Sequence, residues 1–85
     1  MITFNIKSNK SLVGRDAVYF VQSLTPIKTE IYIDKEGRRI NAKSILGLLS
    51  ADICKNDVLE IAVLDDCEGN KVLETLNKFF EKEWV

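Results

Sequence analysis

Apolar and polar positions alternate at the start of the chain, where Ile2, Phe4 and Ile6 are separated by Thr3 and Asn5. That period of two is the rhythm of a half-buried strand. The spacing then changes: Ala17, Phe20, Val21 and Leu24 stand at i, i+3, i+4 and i+7. They share one face of a helix that begins near Asp16 and must stop before Pro26, whose ring disfavours helix in the preceding residue. Asp16 falls at the N-cap or in the first turn, where a carboxylate offsets unpaired backbone N–H groups.

Alternation returns with Thr29, Ile31 and Ile33 on one face and Glu30, Tyr32 and Asp34 on the other. The following DKEGR predicts a hairpin, with Gly37 supplying the positive φ of a bulged turn. A brief third strand covers Arg38 to Asn41, and its Arg38-Arg39 pair reads as the solvated side of an edge strand. Ser44 precedes ILGLLS, the start of a second short helix expected to end near Lys55-Asn56, where asparagine can take the left-handed cap conformation. Leu59, Ile61 and Val63 alternate with Val58, Glu60 and Ala62 as a fourth strand. In the last helix, Asp65 and Glu68 stand at capping-box spacing, and Val72, Leu73, Leu76, Phe79 and Phe80 form an apolar stripe.

The order is βαββαβα. Antiparallel strands that are apolar on one face need a cover, and three amphipathic helices supply it. The predicted fold is therefore α+β: an open-faced β-sandwich, a four-stranded antiparallel sheet covered on one face by three helices, in a single domain over residues 1–85. The terminal Trp84-Val85 pair is expected to pack against a helix end.

Composition narrows the chemistry. A formal net charge of −1 over 85 residues gives no concentrated basic field for direct nucleic-acid binding. No apolar run reaches the roughly 20 residues of a membrane span, and MITFNIKSNK lacks a signal-peptide core, so the expected location is cytoplasmic. Cys54 and Cys67 fall at a helix exit and a helix start, and are read as reduced thiols. Histidine is absent altogether, which removes an imidazole base, a phosphohistidine and a histidine metal ligand together. No metal and no cofactor is expected.

The second helix is apolar almost all round. At ~100° per residue, Leu48 and Ala51 point one way while Ile45, Leu46 and Leu49 spread over the adjoining arc. Either a loop covers part of it, or an apolar patch of up to a few hundred Å² stays open as a partner-binding surface. Ser44 before it is a favoured N-cap, worth about 1 kcal/mol over alanine. A phosphoryl group there would add negative charge beside unpaired N–H groups.

The order of elements, FVQ in the first helix, IYIDKEGRRINAKSILGLLS across the hairpin and second helix, and VLETL in the last together resemble HPr, the histidine-containing phosphocarrier family of the bacterial sugar phosphotransferase system. The resemblance covers essentially the whole chain. Members carry a Gly-Leu-His-Ala-Arg-Pro-Ala run before the first helix. Counting back without gaps from Phe20 sets Leu12 on the leucine, Val13 on the phosphorylated histidine, Gly14 on the alanine, Arg15 on the arginine and Asp16 on the proline. Valine has no lone pair to take up phosphate, and Asp16 brings a like charge to the family's anion site. An aspartate at the N-cap would already be committed to backbone donors, so Asp16 is not expected to take over as acceptor. Arg15 is either an anion or partner contact, or an ordinary solvated side chain.

The serine is kept. NAKSILG resembles the segment that a dedicated HPr kinase/phosphorylase modifies in Gram-positive members, which implies Ser44 as a regulatory phosphorylation site. The resemblance also implies that Ile45, Leu46 and Leu49 are docking residues. The family's catabolite-repression branch likewise lacks the histidine, keeps the serine and acts through a transcription regulator. The implied function is a non-catalytic regulatory module whose partners are proteins: the kinase/phosphorylase, a transcription regulator or other phosphotransferase-system components; the sequence itself leaves the oligomeric state open, with a monomer as the expectation. Two other readings stay open, a phosphocarrier with an unconventional acceptor and an unmodified, constitutive docking module.

Overall fold

The computed structural model describes residues 1–81, so the expectation for Trp84-Val85 lies outside the described residues. The elements are β1 (Ile2–Lys7), α1 (Gly14–Leu24), β2 (Ile31–Lys35), β3 (Arg38–Asn41), α2 (Ile45–Ser50), β4 (Val58–Val63), a 3-10 turn over Asp66–Glu68 and α3 (Gly69–Glu81). The strands form one antiparallel sheet in the order β1-β4-β2-β3. Register explains its two faces. Phe4, Ile61, Ile33 and Ile40 stand in one row across all four strands, and the last three are buried. In the next row Asn5, Glu60, Asp34 and Arg39 face the other way, as the pleat demands.

The helices cover the first of these faces. Leu12, Phe20, Leu24, Leu48, Val72 and Leu76 are fully buried. Phe20 meets Phe79 edge-on with ring centroids 5.4 Å apart, and Phe79 meets Phe80 in the same way at 5.1 Å, the arrangement that ring quadrupoles favour. On the open face, Arg39 pairs bidentately with its cross-strand neighbour Asp34 at 2.8 and 2.9 Å and lies over the Tyr32 ring. The guanidinium holds the Asp34 carboxyl below the usual carboxylate range.

Several boundaries differ from those expected. Thr29 precedes β2 instead of belonging to it: the side chain is buried and its hydroxyl accepts the Asp65 N–H at 2.9 Å. That bond takes the N–H a reciprocal capping box would have used, so Asp65 instead caps the 3-10 turn by accepting the Cys67 N–H. The hairpin is a two-residue turn, not a bulged one. Glu36 (φ 50°) and Gly37 (φ 80°) are both left-handed and Lys35 pairs directly with Arg38, which matches a type I′ turn and the twist of the strands. Leu73 is exposed and leaves the stripe formed by Val72, Leu76, Phe79 and Phe80.

The second helix stops at Ser50, with Ala51 as C-cap, well short of Lys55-Asn56. Asp52 (φ 50°) takes the left-handed position that ends it. Asn56 is left-handed too (φ 78°), but in the turn before β4. Cys54 therefore lies in that connection and not at a helix exit; it and Cys67 are free, exposed thiols. Among the described residues no helix is long and apolar enough to cross a membrane.

Candidate functional site

The connection from β1 to α1 is pinned before it reaches the helix. The Ser8 N–H donates to Asp57 O at 2.8 Å, the Leu12 N–H donates to Ile53 O at 3.0 Å, and the Asn9 amide donates to Phe80 O. Ser8 and Leu12 are both buried, and Val13 follows at the surface. Val13 is extended (φ −130°, ψ 158°) and is itself the N-cap of α1, with no side-chain cap hydrogen bond and 52% of its surface exposed. A residue with no polar side-chain atom thus occupies the position where favoured caps carry an oxygen.

Asp16 stands in the first turn, not at the cap, and is half-buried. The expectation that capping would commit its carboxylate is corrected accordingly. Gly14 takes φ 54°, a conformation that suits glycine at this sharp entrance to the helix. Arg15 is exposed beside it.

The second candidate region is α2. Ser44 is its N-cap (φ −107°, ψ 116°): Oγ accepts the Gly47 N–H at 3.1 Å, and the Ser44 carbonyl accepts the Leu48 N–H at 2.9 Å. The preceding Lys43 N–H donates to Asn41 Oδ1, and its ammonium donates to Ile27 O. Leu48 is fully buried, whereas Ile45 is 40%, Leu46 82% and Leu49 43% exposed. Of the apolar arc expected from sequence, Leu46 is therefore largely open to solvent, and Ile45 and Leu49 are partly so.

Packing of α1 on α2 brings the two regions onto neighbouring elements without merging them. The Leu12–Ile53 bond sets the start of α1 beside the end of α2 remote from Ser44. The six-residue helix itself is about 9 Å long. Val13 thus follows a residue held beside the far end of α2, whereas Ser44 caps its start. No group of three or more cysteine, aspartate or glutamate side chains that could hold a metal forms among the described residues. Sequence reasoning missed Lys35, whose partners lie 16 and more residues away, beyond any local signal.

Comparison with known proteins gives the same frame. The family model described as PTS HPr component phosphorylation site matches residues 2–82. The HPr-like protein Crh of Halalkalibacterium halodurans is 35% identical over 78 residues, 92% of each chain. Crh of Bacillus subtilis is 27% identical over 78 residues, 92% of this chain and 91% of the relative. The crystal structure of the phosphocarrier protein HPr from Bacillus anthracis superposes with a TM-score of 0.83 at 27% identity, covering 94% of this chain and 96% of that one.

Proposed function

The chain belongs to the HPr family of phosphotransferase-system components, and from that premise we propose that it is a non-catalytic, protein-binding regulatory module and not a phosphohistidine carrier. The observation that carries this reading is Val13: a hydrocarbon side chain stands exposed at the N-cap of α1, in a chain with no histidine anywhere. Phosphoryl transfer through this family needs a nucleophilic lone pair at that place, and the isopropyl group has none. The similarity to two Crh proteins supports a regulatory role over a carrier role.

In this reading Ser44 is the regulatory phosphoacceptor, and the exposed Ile45, Leu46 and Leu49 form the protein-docking surface, with Arg15 contributing a cation near its far end. The kinase partner is an HPr kinase/phosphorylase; the downstream partner is a transcription regulator or another phosphotransferase-system protein. Phosphorylation of Ser44 would turn one edge of an apolar surface strongly anionic, strengthening contact with arginine- or lysine-bearing partners and weakening contact with acidic ones.

One observation favours a second reading. The Ser44 hydroxyl already caps α2 through Gly47, which accounts for a serine without any modification and fits a constitutive docking module. Incubation with ATP and an HPr kinase/phosphorylase, followed by intact mass measurement of the parent protein and of Ser44→Ala, separates the two. One phosphoryl group on the parent and none on the variant supports the switch; an unmodified parent protein leaves the constitutive module.

A further inference from the structure

Between α2 and β4 the chain makes a strap, residues 51–57, with two non-glycine residues in the left-handed region, Asp52 (φ 50°) and Asn56 (φ 78°). Aspartate and asparagine take this conformation more readily than other side chains, which lets the strap turn twice within a few residues. Here the surroundings converge on one side chain. The Lys35 ammonium, projecting from the last residue of β2, donates to Ala51 O at 3.2 Å and to Asp52 O at 2.7 Å, and pairs with Asp57 Oδ2 at 2.9 Å. Its three N–H groups meet both ends of the strap, and its side chain is only 13% exposed.

The bonds on either side give this contact its reach. Asp57 Oδ2 also accepts the Cys54 N–H at 2.8 Å, closing the strap on itself. Its outer edge is stitched to the connection that leads into α1: Asn56 N–H to Ser8 O, Ser8 N–H to Asp57 O, Leu12 N–H to Ile53 O, and Lys55 N–H to Ser11 Oγ at 3.3 Å. The first carbonyl that Lys35 holds, Ala51 O, belongs to the C-cap of α2. A six-residue helix has few intrahelical bonds of its own, so its placement depends on contacts outside it.

We propose that Lys35 is the positioning residue of the α2 surface: with Asp57 as counterion, its ammonium locks the strap in one conformation and thereby fixes α2 relative to the start of α1. Lys35 touches none of Val13, Arg15, Ile45, Leu46 or Leu49 in any bond described above, and acts on their arrangement through the backbone. The use of that surface for docking rests on the function proposed above. The lock does not, since it is a property of the isolated domain.

Amide hydrogen exchange on the parent protein, Lys35→Met and Asp57→Asn tests it without any partner. In Lys35→Met the Leu12, Cys54 and Asn56 amides are expected to exchange at least about tenfold faster, while the amides of β2 and β4 keep their protection, the pattern of a local opening. Asp57→Asn retains the lysine–carbonyl bonds and gives a smaller increase at the Leu12 and Asn56 amides, Cys54 being left out of that comparison because Asp57 is its own acceptor; it also carries the test should Lys35→Met fail to fold. Unchanged exchange in the strap, or a uniform increase that includes β2 and β4, would overturn the proposal.

Discussion

The Ser44 Oγ and the Gly47 N–H form a 3.1 Å hydrogen bond, and a Cβ built on residue 47 would stand 3.3 Å from that oxygen and 2.9 Å from Ile40 Cγ2. The missing side chain at 47 is what lets the first turn of α2 rest on β3 while the serine caps it. Ile40 is buried, with 6% of its surface exposed, so it has little room to yield.

Gly47→Ala is therefore expected to destabilise the domain by up to about 2 kcal/mol, the overpacking cost of about 1–3 kcal/mol against Ile40 less the gain of about 1 kcal/mol in helix propensity. Gly69→Ala supplies the contrast: its Cβ would meet Ile2 Cγ2 at 3.0 Å, but Ile2 is 40% exposed and on an edge strand. Urea unfolding of the two variants should place Gly47→Ala below the parent and Gly69→Ala close to it.

Ser44→Ala removes the cap of α2. A loss of about 1 kcal/mol is expected, read as a lower urea midpoint with an unchanged slope. A loss near zero would mean that solvent satisfies the Gly47 N–H as well as the hydroxyl does.

Leu46 is 82% exposed, so Leu46→Lys should change stability by no more than about 0.5 kcal/mol. Binding is the more sensitive readout. In calorimetric titration against an HPr kinase/phosphorylase, the variant should lose tenfold or more in affinity, about 1.4 kcal/mol, if the apolar arc of α2 is the docking surface.

Acid sensitivity follows from two carboxylates. Asp34 lies below its ordinary value of 3.8 chiefly through its bonds to Arg39, and Asp57 through the Cys54 N–H and then Lys35. A group depressed on folding stabilises fully above its unfolded value, and that contribution is lost as pH falls through the folded value. The urea midpoint should thus hold from neutral pH down to about 4 and fall below it, with a shallower fall in Asp57→Asn. Lys35 has the opposite sign: its value is raised above 10.5, so its contribution persists below that and is lost only at more alkaline pH.

Much of this fold was legible because its core is written in periodicity. Ile31 and Ile33 at period two, and Ala17, Phe20, Val21 and Leu24 at helical spacing, are buried as their spacing requires. That α2 is too short to bury every side was readable as well, but whether a loop covered the arc was left open, and the exposure of Ile45, Leu46 and Leu49 against buried Leu48 came from the structure. What escaped the sequence depends on contacts distant along the chain. Thr29 leaves the strand pattern to receive the Asp65 N–H, 36 residues away. The end of α2 is set by the left-handed Asp52 and by Lys35 from β2, and nothing local marks either. Val13 as the cap of α1 has no sequence signal, since it carries no side-chain acceptor, whereas Asp16 lies in the first turn, one of the two places its position allowed.

The most direct measurement is phosphoryl transfer itself: the purified protein with phosphoenolpyruvate and the first enzyme of the phosphotransferase system, followed by intact mass, beside a histidine-bearing HPr as the positive control. The control is expected to gain one phosphoryl group and this protein none. A stoichiometric, reversible phosphoryl adduct on this chain, at Asp16 or anywhere else, would contradict it.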